Sequence, residues 1–350
     1  MERYIGLDVH AASCTAAVID AHGKRLGRAH VLETNASTLI EFLKSQSGRL
    51  HVCLEEGTQS TWLAEALGKH VAEIVVAHIK ESRGPKSDAG DAFSLAEKLR
   101  VGAIDTKVFK QTGPFTTLRQ LAKAHHMVVQ DTTRIKNRLR AQFRARGIRV
   151  DRKLYTKRRR EAWLELLPPS SKLATKLLFA QLDAVEAVRS EAHQALVEES
   201  HRHPIAAILE TCPGLGEVRV AQFIAIVVSP ERFRTRSQFW QYCGFGVVMR
   251  STSDWVQTPN GAWARSQMKA TRGLNWNFNR TLKQVFKGAA TCVIGQHPDT
   301  PLHNDYKRSI AAGTNPDLAK LTLARRIAAI ALAMWKRKEV YDPARYAKSS

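Results

Sequence analysis

The chain has 350 residues, of which 44% are apolar, and carries a formal net charge of +22; this excludes a disordered polypeptide and allows two or three domains with ample core. A pI of about 10.1 points to a polyanionic partner, because such charge draws DNA or RNA by counterion release. Five scattered cysteines without a CxxC pair exclude a zinc ribbon and a disulfide framework, and the longest apolar stretch, Ile327 to Trp335, is too short to span a bilayer. The thiols read as reduced, and no signal-peptide region leads the chain, so a cytoplasmic, nucleoid-associated protein without a membrane partner is expected. Residues 1 to 110 read as an α/β domain. Ile5-Gly6-Leu7 is a strand, Cys14 to Ile19 a second, and Asp20-Ala21-His22-Gly23 a hairpin turn before a third strand over Arg28 to Leu32. Ala36 to Gln46 is helical, with Leu39, Phe42 and Leu43 on one face. Val52 to Leu54 is a buried strand, Thr61 to His70 a helix, Ile74 to Ile79 the next strand, and a further helix starts near Asp88. Three antiparallel strands followed by helix, strand, helix, strand is the order expected of a ribonuclease-H-like sheet.

Gly113-Pro114 marks a boundary, and residues 111–203 read as a basic, helical segment of coiled-coil character. A long helix runs from Leu118 to Ile135. Between Arg134 and Arg160 stand thirteen Lys or Arg residues and one acid, Asp151. Arg134 and Arg138, then Lys136, Arg140 and Arg144, repeat at i+4 and make a charged stripe; with Arg146, Arg158 and Arg159 they are candidate phosphate contacts. A solvated basic face is the alternative. Leu173, Leu177, Leu182, Val185 and Leu196 mark a second long helix, which fits intramolecular packing or a dimer contact, although Arg189 falls in its seam.

Residues 204–343 read as a mostly helical domain, with 344–350 a tail. Cys212-Pro213-Gly214-Leu215-Gly216 separates two helical stretches, Ile205 to Glu210 and Val218 to Val227, in the manner of a helix-hairpin-helix turn. There Gly214 and Gly216 would let backbone N–H groups approach a phosphate; a plain Pro-Gly turn between packed helices is the alternative. Arg250 precedes three hydroxyls, Ser251-Thr252-Ser253. Ala289 to Asn315 is expected to be a mobile loop region, and Leu321 to Trp335 a closing amphipathic helix. His125-His126 and His201/His203 lack acidic or thiol neighbours at ligand spacing in sequence and read as basic-surface or nucleic-acid contacts rather than zinc ligands.

Four carboxylates stand out: Asp8, Glu55, Asp88 and Asp91. Asp8 follows an apolar run, where an unpaired charge is costly and a cation would offset it. Glu56 competes with Glu55; on a strand one faces the site and the other away. Asp88 and Asp91, at i and i+3, share one helix face, although Asp88 after Ser87 also fits a simple helix start. Acids at element ends in a basic chain suggest Mg²⁺, with Mn²⁺ as the alternative, since hard cations take oxygen ligands and two can clamp a phosphoryl displacement.

Ile5-Gly6-Leu7-Asp8, Leu54-Glu55 with Gly57-Thr58, and Lys86-Ser87-Asp88-Ala89-Gly90-Asp91-Ala92 resemble the three acidic blocks of the DEDD transposases of the insertion-sequence 110 family. Pro213-Gly214-Leu215-Gly216 and Tyr242-Cys243-Gly244-Phe245 resemble that family's C-terminal domain. The resemblance implies a RuvC-like N-terminal domain whose four acids hold Mg²⁺, and a serine that attacks the scissile phosphate to give a covalent phosphoserine link. It also implies a structured guide RNA (a bridge RNA), donor and target DNA, and a homo-oligomer, dimer or tetramer. The family's Ser-Gly pair is replaced here by Ser251-Thr252-Ser253-Asp254, so Ser253 is the first choice of nucleophile, then Ser251, then Thr252; a capping or phosphate-binding role for these hydroxyls is the alternative. The expected reading is an RNA-guided, serine-linked DNA recombinase. Its rivals are a RuvC-type junction resolvase that uses water, and a binding protein without chemistry.

Overall fold

The computed structural model describes residues 1–78, 87–104, 107–108, 113–250, 255–265 and 271–347, and the chain divides into two compact units, Met1–Gly113 and Pro114–Ser350. The first unit is built on a mixed six-stranded sheet. Its strands are β1 (Glu2–Val9), β2 (Ser13–Asp20), β3 (His30–Glu33), β4 (Arg49–Glu55), β5 (Glu73–Ala77) and β6 (Lys107–Val108), in the spatial order β3-β2-β1-β4-β5-β6. β1, β2 and β3 pair antiparallel, β4 and β5 add in parallel, and β6 closes the edge antiparallel. The expected strand over Arg28 to Leu32 begins two residues later, at His30, and ends at Glu33.

Helices cover both faces. α1 (Ala36–Ser45) starts where the Asn35 side chain accepts the Thr38 N–H at 2.8 Å, and it buries Leu39, Phe42 and Leu43. With α2 (Ser60–Leu67) it packs on Ile5, Leu7, Val52 and Leu54. The other face takes α3 (Asp88–Arg100), whose Leu95 and Leu99 pack on Cys53, Val75 and Ala77. α3 lies close against β1 because Gly6 has no side chain: a Cβ there would stand 1.9 Å from the Ala92 carbonyl oxygen.

The second unit opens with a helical hairpin. α4 (Thr116–Arg144) runs well past Ile135, and α5 (Arg160–Glu165) leads into α6 (Pro169–His201). Ile135, Leu139 and Phe143 of α4 meet Phe179 and Leu182 of α6, while Leu118 and Leu196 join the core at the other end, so the two helices are antiparallel. Intramolecular packing thus accounts for Leu182, Val185 and Leu196. Leu173 and Leu177 remain 70% and 64% exposed on the same helix.

The rest of the unit is a helical core with two small ribbons. α7 (Pro204–Glu210), α8 (Glu217–Val227), α9 (Arg236–Tyr242), α10 (Arg280–Gln296), α11 (Pro301–Ala311) and α12 (Pro316–Arg337) surround Phe223, Phe239, Phe245 and Phe286; α13 (Pro343–Ala347) follows. β7 (Val247–Arg250) pairs with β10 (Thr271–Leu274), and β8 (Trp255–Gln257) with β9 (Trp263–Arg265). The expected loop region over Ala289 to Asn315 is instead the end of α10 and all of α11. Thr300 caps α11 by accepting the His303 N–H, and Pro301 fills the first helical position, so both residues act as helix-start signals. Four of the cysteines are core residues; burial pushes the thiols of Cys14, Cys53 and Cys212 up to about 12, and that of Cys243 up as well. Among the described residues no helix is long and apolar enough to cross a membrane.

Candidate metal centre and nucleic-acid surface

Strand alternation decides which acids meet. Ile5 and Leu7 point into the α1/α2 core, so Gly6 and Asp8 turn to the face that carries α3. The parallel register pairs Leu7 with Leu54; the next residues along are Asp8 and Glu55, which share that face at neighbouring strand ends. Glu56 is turned away, 3.5 Å from His78. α3 then presents its first turn. Ser87 caps it, its Oγ accepting the Gly90 N–H at 3.2 Å, and Asp88 and Asp91 sit where the helix dipole favours negative charge.

The tightest convergence is Asp8, Asp88 and His10. His10 Nε2 lies 3.4 Å from an Asp8 carboxylate oxygen and 3.6 Å from one of Asp88, and one ligand atom from each residue falls within a 4.8 Å group. The Asp8 side chain is only 15% exposed, against 63% for Asp88. Burial pushes the Asp8 carboxyl above its ordinary range; His10 pulls it back, and the charges of Asp88 and Asp91 push it up further. Glu55 and Asp91 lie outside the 4.8 Å group, although Asp91 acts on the Asp8 charge. Two carboxylates and an imidazole brought this close are a donor set that a divalent cation can take.

His10 is the residue that sequence reading missed. Its signal was present: Asp8 and His10 are two apart at a strand end, and residues two apart share a face. The other histidines behave differently from their expected surface role. His125 is buried, and the others do have acidic partners: His203 lies 3.7 Å from Glu199, four residues before it, so the sequence reading overlooked an acid at that spacing, and His201 lies 3.1 Å from Glu210.

The basic stripe follows α4 and continues beyond it. Arg138, Arg140 and Arg144 are exposed, and among the described residues no carboxylate pairs with them. Arg140 and Arg144 line two adjoining grooves, one of which includes Arg149. Arg158 and Arg159 are exposed on a short turn, and Arg146 donates to Ser171 Oγ at 3.3 Å. Two members pair with carboxylates of the protein: Arg134 with Asp131 at 2.7 Å and Lys136 with Glu186 at 2.8 Å. Changing Arg138, Arg140 and Arg144 together to Ala should weaken DNA binding and lower the slope of log affinity against log salt by about two to three. Anisotropy titrations at several salt concentrations check this, and an unchanged slope removes the stripe from the interface.

The glycine turn divides into two roles. Gly214 is buried at φ +84°, and a Cβ there would stand 2.5 Å from the Ala289 carbonyl oxygen of α10. The positive φ and the approach of α10 both call for a glycine here. Gly216 is exposed at the N-terminus of α8. Arg250 ends β7; Ser251, Thr252 and Ser253 lie outside the described residues.

Two family matches span more than half of the chain. A family of DEDD IS110 type described as "Transposase" matches residues 5–145, which include all four acids, and the "Transposase IS116/IS110/IS902 family" matches residues 206–307. The chain belongs to the IS110 family of transposases. It is also 24% identical to the "Insertion element IS116 uncharacterized 44.8 kDa protein" of Streptomyces clavuligerus, over 97% of this chain and 96% of that one. An IS110-family transposase of an insertion element acts on DNA.

That assignment makes the Glu55/Glu56 choice testable. Glu55→Gln should lower DNA cleavage by about a hundredfold or more, as expected for loss of a metal-site carboxylate, while Glu56→Gln stays within a few fold of the parent. Equal losses in single-turnover assays would mean that strand alternation does not select the working acid.

Proposed function

We propose that this transposase is a metal-dependent recombinase with a RuvC-like catalytic domain, which cuts and rejoins DNA through a covalent serine link under the guidance of a structured RNA. The observation that carries the metal-dependent part is the convergence of Asp8, Asp88 and His10 within 4.8 Å, on the sheet face that Glu55 shares and that α3, with Asp91, covers. The strand order β3-β2-β1-β4-β5 supports the ribonuclease-H-like reading of that domain. Asp8, Glu55, Asp88 and Asp91 would hold Mg²⁺ or Mn²⁺, which neutralises charge on the scissile phosphate and favours the ionised attacking oxygen.

A hydroxyl of the Ser251-Thr252-Ser253 run, with Ser253 preferred, attacks phosphorus. The hydroxyl gives up its proton as its oxygen bonds to phosphorus, the P–O ester bond to the released strand breaks, and the leaving oxygen takes up a proton to end that strand in a hydroxyl. Bond energy is conserved, so reversal by a new strand end rejoins DNA without a further energy source. The Arg138–Arg144 surface holds phosphate backbones, and sequence choice falls to base pairing with the RNA, a division of labour seen in other guided systems. Strand exchange between two duplexes calls for a dimer or tetramer.

A trapping assay tests the reading. Protein, Mg²⁺, labelled DNA carrying the element's junction and RNA transcribed from its flanking non-coding region are incubated, denatured, and searched for label bound to protein. An adduct on the 251–253 peptide that requires both RNA and Asp8 is the expected result. The triple change Ser251→Ala, Thr252→Ala, Ser253→Ala should remove the adduct entirely. Cleavage with no adduct would instead favour the water-using junction resolvase.

A further inference from the structure

Three of the chain's seven tryptophans, Trp255, Trp263 and Trp276, fall close together in sequence, and they stand 58%, 65% and 80% exposed. Indole has the largest apolar surface of any side chain, so a group of such rings left in water marks an interaction surface. Two of the three are set by the β8–β9 ribbon. Its turn, Thr258-Pro259-Asn260-Gly261, has proline after the first residue and ends on Gly261 at φ +77°, the residues that this kind of short hairpin loop demands. The Gly261 N–H donates to the Thr258 carbonyl, and Thr258 donates both its N–H and its hydroxyl to the Ala262 carbonyl, each at 2.8 Å. Gln257 Nε2 donates to the Gly261 carbonyl at 3.2 Å.

The register pairs Trp255 with Arg265, Val256 with Ala264 and Gln257 with Trp263. Opposed residues share a face, so Trp255 and Trp263 stand on one face of the ribbon, diagonally across its two strands. Among the described residues, neither strand contributes to a hydrophobic core cluster. The ribbon is therefore held by its own turn and ladder, and its large rings serve something other than the fold. Charge indicates what covers them. From Val247 to Lys283 the sequence holds six Lys or Arg residues and one acid, Asp254. Such an excess attracts a polyanion. Flat apolar faces joined to negative charge are the chemistry of a nucleic-acid strand whose bases are unpaired, since a duplex covers its base faces by stacking. Exposed aromatic rings in basic surroundings take such bases whatever their sequence, because every base has a π-face. DNA is the strand on which a transposase of this family acts.

We propose that Trp255 and Trp263 form a stacking platform for the unpaired bases of a DNA strand, one base on each indole. The inference rests on the family's action on DNA and requires neither metal, nor guide RNA, nor the serine link, so its failure and that of the proposed mechanism are distinguishable.

Fluorescence anisotropy of the full-length protein in EDTA tests it, at salt high enough to weaken phosphate contacts. The probes are a labelled strand of about 12 deoxyadenosines, the same strand without bases, a blunt DNA duplex and the matching RNA strand. The double change Trp255→Ala, Trp263→Ala should weaken binding of the DNA strand by about tenfold or more, and leave the abasic strand and the duplex bound as by the parent. The salt slope should stay parental, because no phosphate contact is lost, and the melting temperature should not move, because neither ring lies in the core. Trp255→Phe with Trp263→Phe should recover most of the affinity, since a phenyl ring still offers a face. Parental binding of the DNA strand by the alanine pair, an equal loss on the abasic strand or the duplex, or a loss on the RNA strand alone would overturn the proposal. So would a fall in molar mass by light scattering in the alanine pair, which would assign the face to a second copy of the chain.

Discussion

Asp8→Ala should abolish DNA strand cleavage, by at least about a thousandfold, while the protein stays folded and still binds nucleic acid. Asp8 is the least exposed of the clustered groups, and its carboxyl is raised by burial and by the charges of Asp88 and Asp91. In the metal-free protein this shift has a defined sign. A carboxyl with a raised folded-state pKa binds more protons folded than unfolded, so its contribution to stability falls as pH rises through that raised value. Asp8→Asn should flatten this dependence and leave the metal-free protein at least as stable near pH 8. Added Mg²⁺ should then raise the melting temperature of the parent, because a ligand bound only by the folded state stabilises it, and should leave both variants unmoved. Differential scanning fluorimetry with and without Mg²⁺, beside single-turnover cleavage, reads all of these. Parental cleavage by Asp8→Ala, or a parental Mg²⁺ shift in it, would remove Asp8 from the metal site.

Much of the first unit was legible because its signals are local. The alternation of Ile5 and Leu7 with Gly6 and Asp8, and the i, i+3, i+4 pattern of Leu39, Phe42 and Leu43, each follow from the geometry of one element. The same alternation carried to β4 separates Glu55 from Glu56 once the parallel register is known. Alternation also sets His10 beside Asp8, but its reach to Asp88, 78 residues on, depends on a contact made by folding. In the second unit, the Gly, Pro and Thr residues after Ala289 are ambiguous, because the same residues that open loops also start helices. The two glycines of the Pro213–Gly216 turn look alike in sequence; only the approach of α10 shows that Gly214 is a packing residue and Gly216 an exposed one.

Gly6→Ala should damage the acidic site as severely as loss of an acid, although residue 6 bears no chemistry. The added Cβ would stand 1.9 Å from the Ala92 carbonyl oxygen and 2.8 Å from the Ala96 nitrogen, both backbone atoms of α3. No rotamer relieves such a contact, so the helix must move out by about 1.5 Å to restore van der Waals separation. α3 carries Asp88 and Asp91 in its first turn, and the move draws both away from Asp8 and His10. A displacement near 1 Å at a reacting centre costs roughly a hundredfold in rate, and overpacking a fitted contact destabilises by about 1–3 kcal/mol. The first unit of Gly6→Ala should therefore melt several degrees lower, with cleavage and the Mg²⁺-induced shift both reduced by about a hundredfold or lost. Gly68→Ala is the matched control, since its backbone is helical and a Cβ there makes only an ordinary contact, 3.7 Å from Ile74, and it should behave as the parent. Ala92→Gly should not rescue Gly6→Ala, because the obstructing atom belongs to the Ala92 main chain. Rescue by Ala92→Gly would mean that side-chain crowding, rather than the seating of α3 on β1, governs the position of the acids.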